Sequence, residues 1–78
     1  MKDYHINVFY SEEDKAYIAD IPDLPLCSAF GDSAEAAVHE VLIARDLWLD
    51  VAREDGRSIP EPRYRPAIYQ TGAVVRAP

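Results

Sequence analysis

From Tyr4 to Tyr10 the chain alternates strictly, with Tyr4, Ile6, Val8 and Tyr10 on one side and His5, Asn7 and Phe9 on the other. A period of two in β-branched and aromatic residues predicts a strand. The charged run Ser11-Glu12-Glu13-Asp14-Lys15 breaks it and has the length and polarity of a hairpin loop. Alternation resumes from Ala16 to Ile21, predicting a second strand antiparallel to the first. Pro22 and Pro25 end that ladder, because proline has no amide hydrogen and restricts the residue before it. Cys27–Phe30 is apolar enough for a short third strand, closed by Gly31.

At Asp32-Ser33 the period changes. Either side chain can cap a helix, and Asp32 finds Glu35 three residues on, the spacing of a reciprocal capping box, whereas Ser33 finds Ala36. From Ala34 to about Glu54 there is no proline or glycine, and Gly56 supplies a stop, which predicts one long helix. Ala34, Ala37, Val38, Val41, Leu42, Trp48, Leu49 and Ala52 fall in one broad stripe that should pack on the sheet. Arg45 interrupts this stripe where an apolar residue is expected. Ile43, Leu47 and Val51 form a second stripe on roughly the opposite side, and one sheet can bury only one stripe. The second stripe therefore predicts an oligomer interface, unless the C-terminal tail folds back over it. That tail carries Pro60, Pro62, Pro66 and Pro78. Pro60-Glu61-Pro62 should be extended, and Ile68–Thr71 and Ala73–Val75 read as short strands that either extend the sheet or exchange with a neighbour. The expected fold class is α+β: a three-stranded antiparallel sheet, one long helix on one face, and a final short strand.

Size sharpens the oligomer expectation. A chain of 78 residues is one small domain, and such a domain buries only about 60% of the surface its unfolded chain exposes. Disulfides, metals or assembly usually compensate. Cys27 is the only cysteine and cannot form an internal disulfide, while His5 and His39 lie too far apart to suggest a zinc site. Fourteen acidic against eight basic residues give a net charge of −6 and a pI near 4.6, a field that repels nucleic-acid backbones. An apolar content of about half excludes a disordered tail. No run approaches a membrane span, and the polar start Met1-Lys2-Asp3-Tyr4-His5 is unlike a signal peptide, so the cytoplasm is expected.

Little of this suggests chemistry of its own. A nucleophilic Cys27 would need a nearby base and a depressed pKa, and a core position is the simpler reading. Ser11, Ser28 and Ser33 fit turns or caps, and three scattered glycines make no phosphate loop. Asp14, Asp20, Asp23 and Asp32 would form a divalent-cation site if they converged at one end of the sheet. The plainer reading is solvated carboxylates, which with Glu12, Glu13, Asp46, Asp50, Glu54 and Asp55 make an acidic surface that steers basic partners. No catalytic residue, metal or cofactor is expected.

One stretch is more specific. Ala16-Tyr17-Ile18-Ala19-Asp20-Ile21-Pro22-Asp23-Leu24-Pro25, followed by Cys27, Ala29, Gly31-Asp32-Ser33 and Glu35-Ala36, resembles the signature of HicB-type antitoxins. Leu47-Trp48-Leu49 and Ile59-Pro60-Glu61-Pro62 are similar to later parts of that pattern. The resemblance covers roughly Tyr4 to Pro62. It implies a βββαβ fold like an abbreviated RNase H domain over residues 1–62, with residues 63–78 as an extended tail or strand. It also implies a role without catalysis: binding a small basic HicA-type toxin that cleaves mRNA, and masking its RNA-binding surface or catalytic histidine. Three features depart from the family pattern. Leu26 stands where the turn usually has glycine, Arg45 replaces an apolar residue, and the sequence offers no room for the C-terminal DNA-binding domain many members carry, so no direct DNA binding is expected. RNase H chemistry needs a carboxylate in the first strand to help hold metal ions, and Tyr4–Tyr10 contains none. On this reading Asp14, Asp20, Asp23 and Asp50 are the candidate toxin contacts, and Ile43, Leu47 and Val51 the homodimer or higher-oligomer interface. The alternative keeps the fold and makes the chain an orphan domain, binding a small ligand or serving as an oligomeric scaffold.

Overall fold

The computed structural model describes residues 3–65. Three strands, β1 (Asn7–Ser11), β2 (Ala16–Asp20) and β3 (Ser28–Gly31), precede one helix, α1 (Ala34–Glu54). The sheet is antiparallel in the order β1-β2-β3. The α+β architecture is therefore as expected. The anticipated final strand lies outside the described residues.

All three strands shift: β1 runs to Ser11 rather than Tyr10, β2 stops at Asp20 rather than Ile21, β3 runs to Gly31 rather than Phe30, and two starts move as well. β1 begins at Asn7 rather than Tyr4, because its register pairs Asn7 with Asp20 and Pro22 ends the neighbouring ladder just beyond. Tyr4 instead turns into the core, and its hydroxyl donates to the Pro60 carbonyl at 2.6 Å. β3 starts one residue late, at Ser28, because the Cys27 carbonyl closes the preceding loop by accepting from the Ile21 amide (3.0 Å).

That loop is a double turn. Leu24 N–H donates to the Ile21 carbonyl and Cys27 N–H to the Leu24 carbonyl, each at 3.1 Å. Pro22 and Pro25 occupy the second position of each turn, where their fixed φ fits. The turns drive Ile21 and Leu24 into the core, beside Tyr4, Ala19, Cys27, Ala37 and Val41. Trp48 fastens the second turn from the helix by donating its indole N–H to the Pro25 carbonyl at 2.9 Å.

The helix has the bounds its periodicity predicts. Ser33, not Asp32, is the N-cap: its backbone is extended and its hydroxyl accepts from Ala36 N–H at 3.0 Å. With Ala36 at that position no reciprocal box forms. At the other end Gly56 N–H donates to Arg53 and Arg57 N–H to Ala52, and Gly56 takes φ +70. This is the double bond of a Schellman motif, with glycine in the left-handed position it requires. The helix lies mainly over β2 and β3. Ala37, Val41 and Ala52 are buried and Ala44, Trp48 and Leu49 pack beside them, whereas Ala34 is exposed. Val8 and Tyr10, on the helix-facing side of edge strand β1, stay partly open for the same reason.

Candidate partner-binding surfaces

Exposed large apolar side chains fall on two surfaces, on opposite sides of the domain. The first is the outer side of α1. Ile43, Leu47 and Val51 are 46, 62 and 48% exposed, as a stripe with no core to face would be. An open groove of about 360 Å³ runs beside it, lined by Leu26, Cys27, Ala44, Leu47, Trp48, Val51 and Arg57.

Leu26 projects fully into solvent at the lip of this groove. It holds the third position of the second turn with φ +63, where a type II turn favours glycine. A left-handed leucine costs about 1–2 kcal/mol, only partly offset by the extra freedom glycine would lose on folding. Leu26→Gly should therefore stabilise the fold by up to about 1 kcal/mol, read as a rise in the midpoint of thermal unfolding. A fall would show that Leu26 makes contacts that outweigh its strain.

The second surface is the sheet face turned away from the helix. Phe9 pairs across the sheet with Ile18, and Ile18 with Phe30, so one apolar row crosses all three strands. Phe9 and Phe30 are 50 and 57% exposed. A polar row, Asn7-Asp20-Ser28, lies beside it. His5 borders the polar row, its Nε2 2.7 Å from Asn7 Oδ1 and its ring 4.5 Å from that of Tyr64. The row escaped the sequence reading because its members lie on three strands, and only the pairing register aligns them.

The four candidate aspartates are not gathered. Asp14 sits in the β1–β2 turn, bonded to the Ser11 hydroxyl at 2.8 Å. Asp20 occupies the polar row of the open face. Asp23 accepts from the backbone amides of Arg63 (3.1 Å) and Tyr64 (3.1 and 3.2 Å), tying the segment after the helix to the β2–β3 loop. Asp50 pairs with Arg53 at 3.2 Å on the helix surface. Nor do Asp14, Asp20, Asp23 and Asp32 converge. The register puts Asp14 and Asp32 at the hairpin end and Asp20 and Asp23 at the other, and among the described residues no three His, Cys, Asp or Glu side chains come together as a metal-binding group.

Arg45 finds its counter-charge on its own helix, with Asp46 at 3.1 Å, and Arg57 pairs with Asp55 at 2.7 Å. Such exposed pairs add little stability; their effect is to neutralise these arginines. Cys27 is a buried core residue, and burial pushes its thiol up, against a smaller opposing pull from Arg45. A thiol held protonated is a poor nucleophile. No helix among the described residues is long and apolar enough to cross a membrane.

Comparison with known proteins bears on what these surfaces serve. The family model described as the HicB-like antitoxin of bacterial toxin-antitoxin systems matches residues 4–71. A UPF0150 protein of Synechocystis sp. is 34% identical over 53 residues, spanning 68% of this chain and 73% of its own length. No solved structure gives a significant match. With the strand–double-turn–strand–helix pattern in place and most of the chain covered by the family model, the chain belongs to the HicB-like antitoxin family of bacterial toxin-antitoxin systems.

Proposed function

We propose that this chain neutralises a small basic HicA-type toxin, an mRNA-cleaving protein, by binding it in the cytoplasm and masking its active surface. The observation that carries this reading is the family match over residues 4–71, on a chain that bears a net charge of −6. Opposite net charges speed encounter, and an apolar centre within the contact supplies lasting affinity. The action is steric and electrostatic and needs no catalytic group or cofactor from the antitoxin. Ile43, Leu47 and Val51 serve self-association, presenting the uncovered helix face to a second copy.

The test is titration of the purified chain into an RNA-cleavage reaction run by the purified toxin, with affinity measured over a salt series. Cleavage should stop at a fixed stoichiometry, and affinity should fall as salt rises. Cleavage that continues at saturating chain would end the antitoxin reading. The groove beside Leu26 and Trp48 favours a second reading, an orphan domain that holds a small apolar ligand or acts as an oligomeric scaffold. It would then be the surface to examine.

A further inference from the structure

We infer that the open face of the sheet, not the helix stripe, is the surface that receives the basic partner: a protein presenting an apolar patch rimmed by lysine and arginine. The inference rests on the antitoxin reading above and goes further by assigning the contact to one side of the domain.

Charge distribution selects the occupant. Residues 1–33, which build the sheet, hold seven carboxylates and only two cations, Lys2 and Lys15; α1 holds five carboxylates and two arginines, and residues 55–78 two carboxylates and four arginines. Most of the net negative charge of the chain therefore resides in the part that builds the sheet. Arg45 and Arg53 on the helix, and Arg57 just after it, are matched by Asp46, Asp50 and Asp55. Among the described residues, Glu12, Glu13, Asp20 and Asp32 before the helix, and Glu35, Glu40 and Glu54 on it, form no ion pair. The part that builds the sheet thus carries the larger negative charge, seven carboxylates against two lysines, where α1 has five carboxylates against two arginines.

The open face places that charge around an apolar centre. Phe9, Ile18 and Phe30 form a continuous row across the strands, Asp20 stands in the row beside it, and the Glu12-Glu13-Asp14 turn projects from the hairpin end. An apolar core with a charged rim is the anatomy of a protein contact, with aromatic residues the commonest anchors. A second copy is a poor occupant, because a two-fold arrangement would set this acidic face against itself. Nucleic acid is repelled by the same field. A cationic protein surface satisfies both the row and its rim.

The experiment uses the full chain and the purified toxin, with calorimetric affinities at low and high salt and sedimentation equilibrium of each variant alone. Phe9→Ser with Phe30→Ser should weaken toxin binding by roughly a hundredfold. Asp20→Asn, which leaves the apolar row intact, should weaken it about tenfold at low salt and flatten the salt dependence. Leu47→Ser, on the far side of the domain, should leave toxin affinity unchanged. Phe9 and Phe30 are half exposed, so circular dichroism should show the double variant folded; if it is not, the Asp20→Asn result decides. Toxin bound equally by wild type and the sheet variants, but lost by Leu47→Ser, would overturn the assignment and leave the antitoxin reading standing. A lower assembly mass for the double variant would also overturn it, making the face a self-association surface. Failure of wild type to bind toxin would remove the antitoxin reading and this inference together.

Discussion

Gly31→Ala should destabilise the domain by about 2–3 kcal/mol and lower its melting temperature by roughly 10–20 °C. Gly31 closes β3 on the side facing the helix, where the first turn of α1 descends onto the sheet. A Cβ at this position would collide with the Ala37 backbone nitrogen and lie 2.7 Å from the Ala36 carbonyl carbon and 2.9 Å from the Ala36 Cβ. Alanine would also narrow the unfolded ensemble, which favours folding by up to about 1 kcal/mol. The clash prevails because two of the obstructing atoms are backbone and cannot swing aside like a side-chain tip. Relief requires lifting the helix start off the sheet. Urea unfolding would show this as a lower midpoint with an unchanged slope. A midpoint equal to that of wild type would mean that the helix start can shift at no cost. At Gly56, by contrast, a Cβ would meet nothing, and the penalty there comes from φ +70 alone.

The difference between these glycines illustrates how much of the molecule is written locally. The helix span is legible, because a proline-free and glycine-free run and Gly56 are local signals, while the choice of Ser33 over Asp32 as the cap is not. β2 and β3 are nearly so, since alternation and the proline turns mark them. The uncovered stripe Ile43-Leu47-Val51 is equally visible, because helical spacing alone separates it from the buried one. Tyr4 to Ile6 mislead because their alternation persists beyond the point where any partner strand remains. The Phe9-Ile18-Phe30 row is invisible until the hairpin register is known, since a shift of one residue would send Ile18 to the opposite face. The roles of individual aspartates are least legible of all. Asp14 and Asp50 have local partners, but nothing in the sequence around Asp23 announces a contact forty residues away.

Asp23→Ala should free the segment after the helix without unfolding the domain. In the wild type both carboxylate oxygens accept from the Arg63 and Tyr64 amides, at 3.1–3.2 Å. Charge-assisted bonds of this kind contribute more than neutral ones, but this site is exposed and water competes for it. Their loss should therefore cost about 1–2 kcal/mol, felt where the segment docks. Amide exchange at Arg63 and Tyr64 should accelerate about tenfold or more, since 1.4 kcal/mol is a factor of ten. Exchange in β2 and the middle of α1 should hardly change, because the core cluster has no member in this segment. Trypsin should cut the Arg63–Tyr64 bond faster in the variant. The bond after Arg65 should resist in both proteins, since proline follows it. Asp23→Asn keeps one oxygen acceptor and should fall between the two. The Tyr4–Pro60 hydrogen bond and the His5–Tyr64 ring contact still tether the segment, which limits the loss to a local opening. Tyr64 lies against His5 at the border of the open sheet face, so a loosened segment would also alter that border. A change in toxin affinity on Asp23→Ala, accompanied by faster exchange at Arg63 and Tyr64, would then report a displaced segment rather than a lost contact. Unchanged exchange at those two amides would show that Asp23 does not hold the segment and would return its carboxylate to the set available to a partner.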